Sequence, residues 1–153
     1  MDVDPNSLAD PKLVRTLLEN AKKRGRADIV LKCQVRLAHL EGSKYASQLE
    51  REFWTAVSAA EELATLRNGK TTRLSRTRQK AARVGFKQCL EDWAFHKGTA
   101  DGFDLLVDGG HPDLTGEAIV VRHPDEFSEA AVEAAKKRLL DHGIDLSRFE
   151  MRR

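Results

Sequence analysis

Leu49-Glu50-Arg51-Glu52-Phe53-Trp54-Thr55-Ala56-Val57-Ser58-Ala59-Ala60-Glu61-Glu62-Leu63-Ala64 is the stretch that decides the fold. Leu49, Phe53, Ala56, Val57, Ala60, Leu63 and Ala64 stand at i, i+4, i+7, i+8, i+11, i+14 and i+15. That is the spacing of one apolar helix face sustained over several turns. Glu50, Arg51, Glu61 and Glu62 fall on the opposite face. Ser43 is placed to cap the start, and Asn68-Gly69 to end the helix. The stripe suits an internal core. It would equally serve pairing with a second copy, so a homo-oligomer stays open.

Upstream, Asp10-Pro11 reads as an N-cap followed by proline at the first helical position. Leu13, Leu17, Leu18 and Ala21 follow at helical spacing up to Arg24-Gly25. A second helix covers Arg26 to Glu41, with Ile29, Val30, Cys33, Leu37 and Leu40 inward and Gly42 as its stop. Residues 10–42 are thus expected to form a helical hairpin, and residues 1–9 to be polar and loose. Downstream, Thr71 to Lys97 reads helical with a break near Gly85, since glycine in a helix interior costs about 1 kcal/mol against alanine. Residues 102–108 form a short helix between Asp101 and Gly109-Gly110. Residues 115–122 suit a strand or a buried helical turn, and the lack of a partner strand favours helix. Ser128 caps a last helix with Val132, Ala135, Leu139 and Leu140 inward, closed by His142-Gly143. The expectation is one all-α domain over residues 1–153, a compact bundle of about six or seven helices.

The 153 residues suffice for one domain, and 41% hydrophobic with 33% charged residues describes a folded chain rather than a disordered tail. No apolar run approaches the roughly 20 residues of a membrane span, and the start lacks a signal-peptide layout. Two cysteines, Cys33 and Cys89, provide neither a disulfide framework nor a four-thiolate zinc site. The expected compartment is a reducing cytoplasm, with no membrane association.

The formal net charge of +2 hides a segregation. Residues 1–66 balance ten basic against ten acidic side chains. Residues 67–87 hold eight cations (Arg67, Lys70, Arg73, Arg76, Arg78, Lys80, Arg83 and Lys87) and no acid. Residues 88–153 hold eight basic and fourteen acidic side chains. Placed on one helix, Arg73, Arg76, Lys80, Arg83 and Lys87 share an arc of roughly 80°. Such a stripe repels itself, and a polyanion neutralises it. Asn68-Gly69-Lys70-Thr71-Thr72 and Ser75 add hydroxyls, mobile backbone N–H groups and a helix N-terminus. Arg73, Arg76 and Arg78 are the candidates for base edges. Ser75–Arg83, a turn at Val84-Gly85-Phe86, and Lys87–Phe95 resemble a helix-turn-helix. Glu91 and Asp92 on its second helix count against that motif, because phosphates repel them.

Other chemistry is weaker. His96, Asp101, Asp104, Asp108, His111, Asp113, Glu117, His123, Asp125 and Glu126 include metal-ligand types, but no known metal spacing. A metal-dependent nuclease is therefore the second alternative. The first is a helical adaptor for an acidic protein partner. His111-Pro112 and His123-Pro124 read as helix-ending turns. Cys33 and Cys89 read as buried apolar residues. Trp54, Trp93, Phe53, Phe86 and Phe95 read as core. Asn68-Gly69-Lys70-Thr71 lacks the preceding glycine and strand of a phosphate loop, so no cofactor is expected.

Leu49-Glu50-Arg51-Glu52-Phe53-Trp54, Asn68-Gly69-Lys70-Thr71-Thr72-Arg73-Leu74-Ser75-Arg76-Thr77, Val121-Arg122-His123-Pro124 and Phe127-Ser128 resemble a family of small bacterial proteins of uncharacterised activity. The likeness covers about residues 45–142. It implies a bacterial cytoplasmic origin and supplies no catalytic residues. The expectation is a DNA-binding protein, with RNA as the other nucleic-acid partner, more simply non-enzymatic. Its contacts would come from Arg67, Lys70, Thr71, Thr72, Arg73, Ser75, Arg76, Arg78, Lys80, Arg83 and Lys87.

Overall fold

A computed structural model of the chain describes residues 3–95 and 101–149. Among these residues the structure is all-helical, with eight α-helices and no strand. They are α1 (Pro11–Lys23), α2 (Ala27–Gly42), α3 (Gln48–Asn68), α4 (Ser75–Val84), α5 (Phe86–Phe95), α6 (Asp101–Asp108), α7 (Gly116–Arg122) and α8 (Glu129–Asp141). The count reaches eight because Gly85 divides the basic segment and residues 116–122 are helical.

The hairpin forms as its caps dictate. Asp10 accepts the Lys12 N–H at 2.9 Å, and Gly25 turns the chain at φ +69°. Val14, Leu18 and Ala21 of α1 close on Ile29, Val30, Cys33 and Leu37 of α2. Leu13 instead faces outward, because α1 packs mainly on one neighbour and buries only a narrow stripe. The loose start is also corrected from Asp4 onward. Asp4 caps a 3-10 turn at Pro5–Ser7, and the Leu8 carbonyl accepts the Arg36 Nε–H at 2.9 Å.

Helix α3 is the axis of the molecule, and it is buried beyond its apolar stripe. Leu49, Phe53, Ala56 and Val57 pack with Cys89, Leu90, Ala118, Ile119, Ala131, Ala135 and Leu139 of the C-terminal helices. Ala59, Ala60 and Leu63 pack with Ala38 and Leu106. Small side chains permit this two-sided approach. Gly42 shows how close it is: a Cβ there would stand 2.1 Å from Thr55 Oγ1 and 2.6 Å from the Arg51 carbonyl. Ser43 does not cap α3. Its hydroxyl donates to the Leu40 carbonyl at 2.7 Å, and Ser47 caps α3 by accepting the Glu50 N–H at 3.1 Å. Asn68-Gly69 ends α3 as expected, with Gly69 at φ +72°.

In the C-terminal part, Thr115 and Ser128 cap α7 and α8, and His142-Gly143 closes α8. His111 and His123 each lead into a proline-initiated 3-10 turn with nearly the same backbone, ψ 56° and 58°. Cys33 and Cys89 are fully buried free thiols, and burial pushes both up in pKa. Phe53 is central to the core, with Trp54, Trp93 and Phe86 packed around it. Phe95 and Leu140 are exceptions to the expected core, since both are exposed at the ends of their helices. No helix among the described residues is long and apolar enough to cross a membrane.

Candidate nucleic-acid interface

The basic segment is not one continuous helix. Arg67 lies in the last turn of α3, Lys70 to Leu74 form an irregular link, and Ser75 opens α4. Gly85, at φ +93° and ψ 156°, stops α4, and Lys87 belongs to α5. The expected five-cation stripe is therefore cut into three pieces. Only Arg76, Lys80 and Arg83 share a face of α4.

The link is held by side chains. The Thr72 N–H donates to Thr65 Oγ1 at 2.9 Å, Asn68 Nδ2 donates to Thr72 Oγ1 at 3.0 Å, and the Thr72 hydroxyl donates to the Lys70 carbonyl at 3.0 Å. The Leu74 N–H donates to Glu61 Oε2 at 2.9 Å. Of the backbone donors expected to be mobile, that of Thr72 is thus in use, and the Leu74 N–H that follows is in use as well. In return, Lys70 and Arg73 are displayed from a fixed backbone. Thr71 and Ser75 are exposed beside them.

The eight cations divide by partner. Arg78 turns inward and forks onto Glu61, with Nε and Nη2 each at 2.7 Å from a carboxylate oxygen. Its guanidinium also lies 5.5 Å from the Trp54 ring centroid, and the Glu61 pair raises its pKa. Lys80 pairs with Asp92, and Lys87 with Glu126 at 2.6 Å. Those pairs hold the Asp92 and Glu126 carboxyls below their usual range. Arg67, Lys70, Arg73, Arg76 and Arg83 are exposed and form no ion pair among the described residues. Arg78 therefore drops out as a reader of base edges, because its Nε and Nη2 are spent on Glu61 and its guanidinium lies over Trp54.

Helix-turn-helix geometry is absent. One residue, Gly85, separates α4 from α5, where that motif uses a turn of about three or four. Helix α5 is an internal packing element with Cys89, Leu90 and Ala94 buried. Its acids are engaged: Glu91 accepts the Ser128 hydroxyl at 2.6 Å, and Asp92 takes Lys80 and Gln88. Among the described residues no group of three His, Cys, Asp or Glu side chains could hold a metal ion. His96 lies outside the described residues, as does the Asp101 side chain. Arg122 and His123 both serve Glu52 on α3, with Arg122 Nε at 2.7 Å, which ties α7 to α3.

Two acidic residues take roles that the sequence pattern did not assign them. Glu61 sits on the polar side of the α3 pattern, yet it is buried and caps α4. Its partners come from residues 74 and 78, and no local spacing announces them. Glu117 is the second. It is 3% exposed and lines a cleft of about 480 Å³ beside the start of α4. Ala56, Val57, Ala60, Trp93, Phe103 and Leu106 supply the apolar walls, and Arg73, Ser75, Arg76 and Thr77 complete the lining. Burial pushes the Glu117 carboxyl up to about 7, with its own backbone N–H and Arg138, at 3.5 Å, opposing. The chain matches no family model, no curated sequence and no solved structure.

Proposed function

We propose that this protein binds a nucleic-acid backbone, DNA in the first instance, through Arg67, Lys70, Arg73, Arg76 and Arg83. One observation carries the reading: five exposed cations without an ion pair among the described residues sit within 17 residues, from the last turn of α3 to the last turn of α4, while the other three of the segment are paired with acids of the same chain. Mutual repulsion among unpaired cations is relieved by phosphates, and α4 directs its N-terminal N–H groups toward the same region. Thr71 and Ser75 add neutral donors beside them.

Fluorescence anisotropy with labelled duplex and single-stranded DNA tests the proposal across a salt series. Five phosphate contacts correspond to a log–log salt slope of about −4.5 on duplex DNA, against about −7 for all eight cations. Arg73→Ala/Arg76→Ala should flatten the slope by about 2, and Lys80→Ala should leave it unchanged. Absence of binding at low salt, or indifference to the double substitution, overturns the reading.

A further inference from the structure

The cleft beside α4 has a chemistry that the phosphate reading does not use. Its volume, about 480 Å³, is in the range of small-molecule sites. Its walls are apolar and aromatic, from Ala56, Ala60, Trp93 and Phe103. Two of the unpaired arginines, Arg73 and Arg76, belong to it, and so does a buried carboxylate, Glu117. Cations and a buried acid in one apolar cleft suit a ligand with an anionic group, a flat body and hydrogen-bond donors.

We infer that the cleft holds one guanine nucleotide of the bound strand, its phosphate at Arg73 and Arg76 and its Watson–Crick edge toward Glu117. The inference rests on the nucleic-acid reading above. Among the bases guanine alone presents two adjacent donors, N1–H and N2–H, to match the two acceptor oxygens of a carboxylate. Adenine and cytosine each place an acceptor next to their donor, which a carboxylate repels. Uracil and thymine flank one donor with two carbonyls. Glu117 is short of partners for such a buried group. Arg138 stands 3.5 Å from one oxygen, and its own backbone N–H and the His142 side chain are the further favourable influences. A base reaches such a cleft from an unpaired stretch, read along its exposed edge against aromatic side chains.

The test uses the full chain at pH 8, where the Glu117 carboxyl is ionised, and isothermal titration with guanosine, adenosine, cytidine and uridine 5′-monophosphates, with poly-nucleotide anisotropy in parallel. Guanosine monophosphate should bind at least tenfold tighter than the others. Glu117→Gln replaces two acceptors by one acceptor and one donor, so it should remove the preference for guanosine monophosphate. Gly102→Val is the second variant. A Cβ at Gly102 meets Ala60 and Leu74 only at 3.8 and 4.0 Å, so the fold accepts it while the branch fills the cleft. It should abolish mononucleotide binding and leave the polynucleotide salt slope intact. Equal affinity for all four mononucleotides, or guanosine binding unaltered by Gly102→Val, overturns the inference. Salt-dependent polynucleotide binding then still stands for the phosphate reading. Loss of polynucleotide binding altogether overturns that reading instead.

Discussion

Glu61 holds the basic junction in place. It accepts the Leu74 N–H and forks with Arg78, so one buried carboxylate both caps α4 and neutralises a cation of the segment. Removing one member of such a pair leaves the other uncompensated. Glu61→Ala should lower unfolding free energy by about 3 kcal/mol in urea titrations. Arg78→Lys should also destabilise, because an ammonium reproduces neither the fork nor the Trp54 contact. Glu117 makes a separate pH prediction. Its carboxyl stands at about 7 when folded, against an ordinary 4.5. Between those values the folded protein holds a proton that the unfolded chain has released. Stability therefore falls as pH rises through that window, and the full cost is present above pH 7. Relative to Glu117→Gln, the wild type should lose about 2.5 kcal/mol between pH 5 and pH 8. Paired unfolding titrations at the two pH values measure it.

Two glycines set how elements meet. Gly42 brings the end of α2 against α3, where a Cβ would overlap Thr55 and the Arg51 carbonyl. Gly42→Ala should cost about 2 kcal/mol through forced separation of the helices, read as a lowered Tm. Gly85 acts through conformation rather than space, since nothing stands within 4 Å of its Cβ position. Its φ of +93° with ψ 156° is a region that only glycine adopts readily. Gly85→Ala should cost about 2 kcal/mol and release α4 from α5, seen as faster amide exchange confined to α4. Helix α4 buries no residue of its own, so its attachment depends on this turn, on Glu61 and on the partly buried Leu74 and Ala81.

At the scale of the whole molecule, the charge partition decides what is left to act. Internal acids from α3, α5 and the turn after α7 take three cations of the basic segment. The remaining five run from the last turn of α3 through the link to the last turn of α4, and the shallower salt slope is the measurable consequence. Much of this was legible in order along the chain. Asp10, Ser128, Gly69 and Gly143 mark helix ends by local chemistry, and the stripe of α3 marks its burial. The misplaced cap at Ser43 belongs to the same class of reading: the residue that accepts the Glu50 N–H is Ser47, four positions on.

Periodicity, caps and glycines are local properties, so the all-helical class and most helix boundaries were determined by the amino-acid sequence alone. The density of cations between Arg67 and Lys87 was equally a matter of sequence. Which of those cations stay free was decided only by the tertiary structure, because ion pairs between residues 61 and 78, 80 and 92, or 87 and 126 require separate helices to be brought together. The cleft is tertiary for the same reason. Ala60, Arg76, Trp93 and Glu117 share no spacing in the chain, and they meet because α5 packs on α3, α4 and α7, with Phe53 and Gly116 at its contacts.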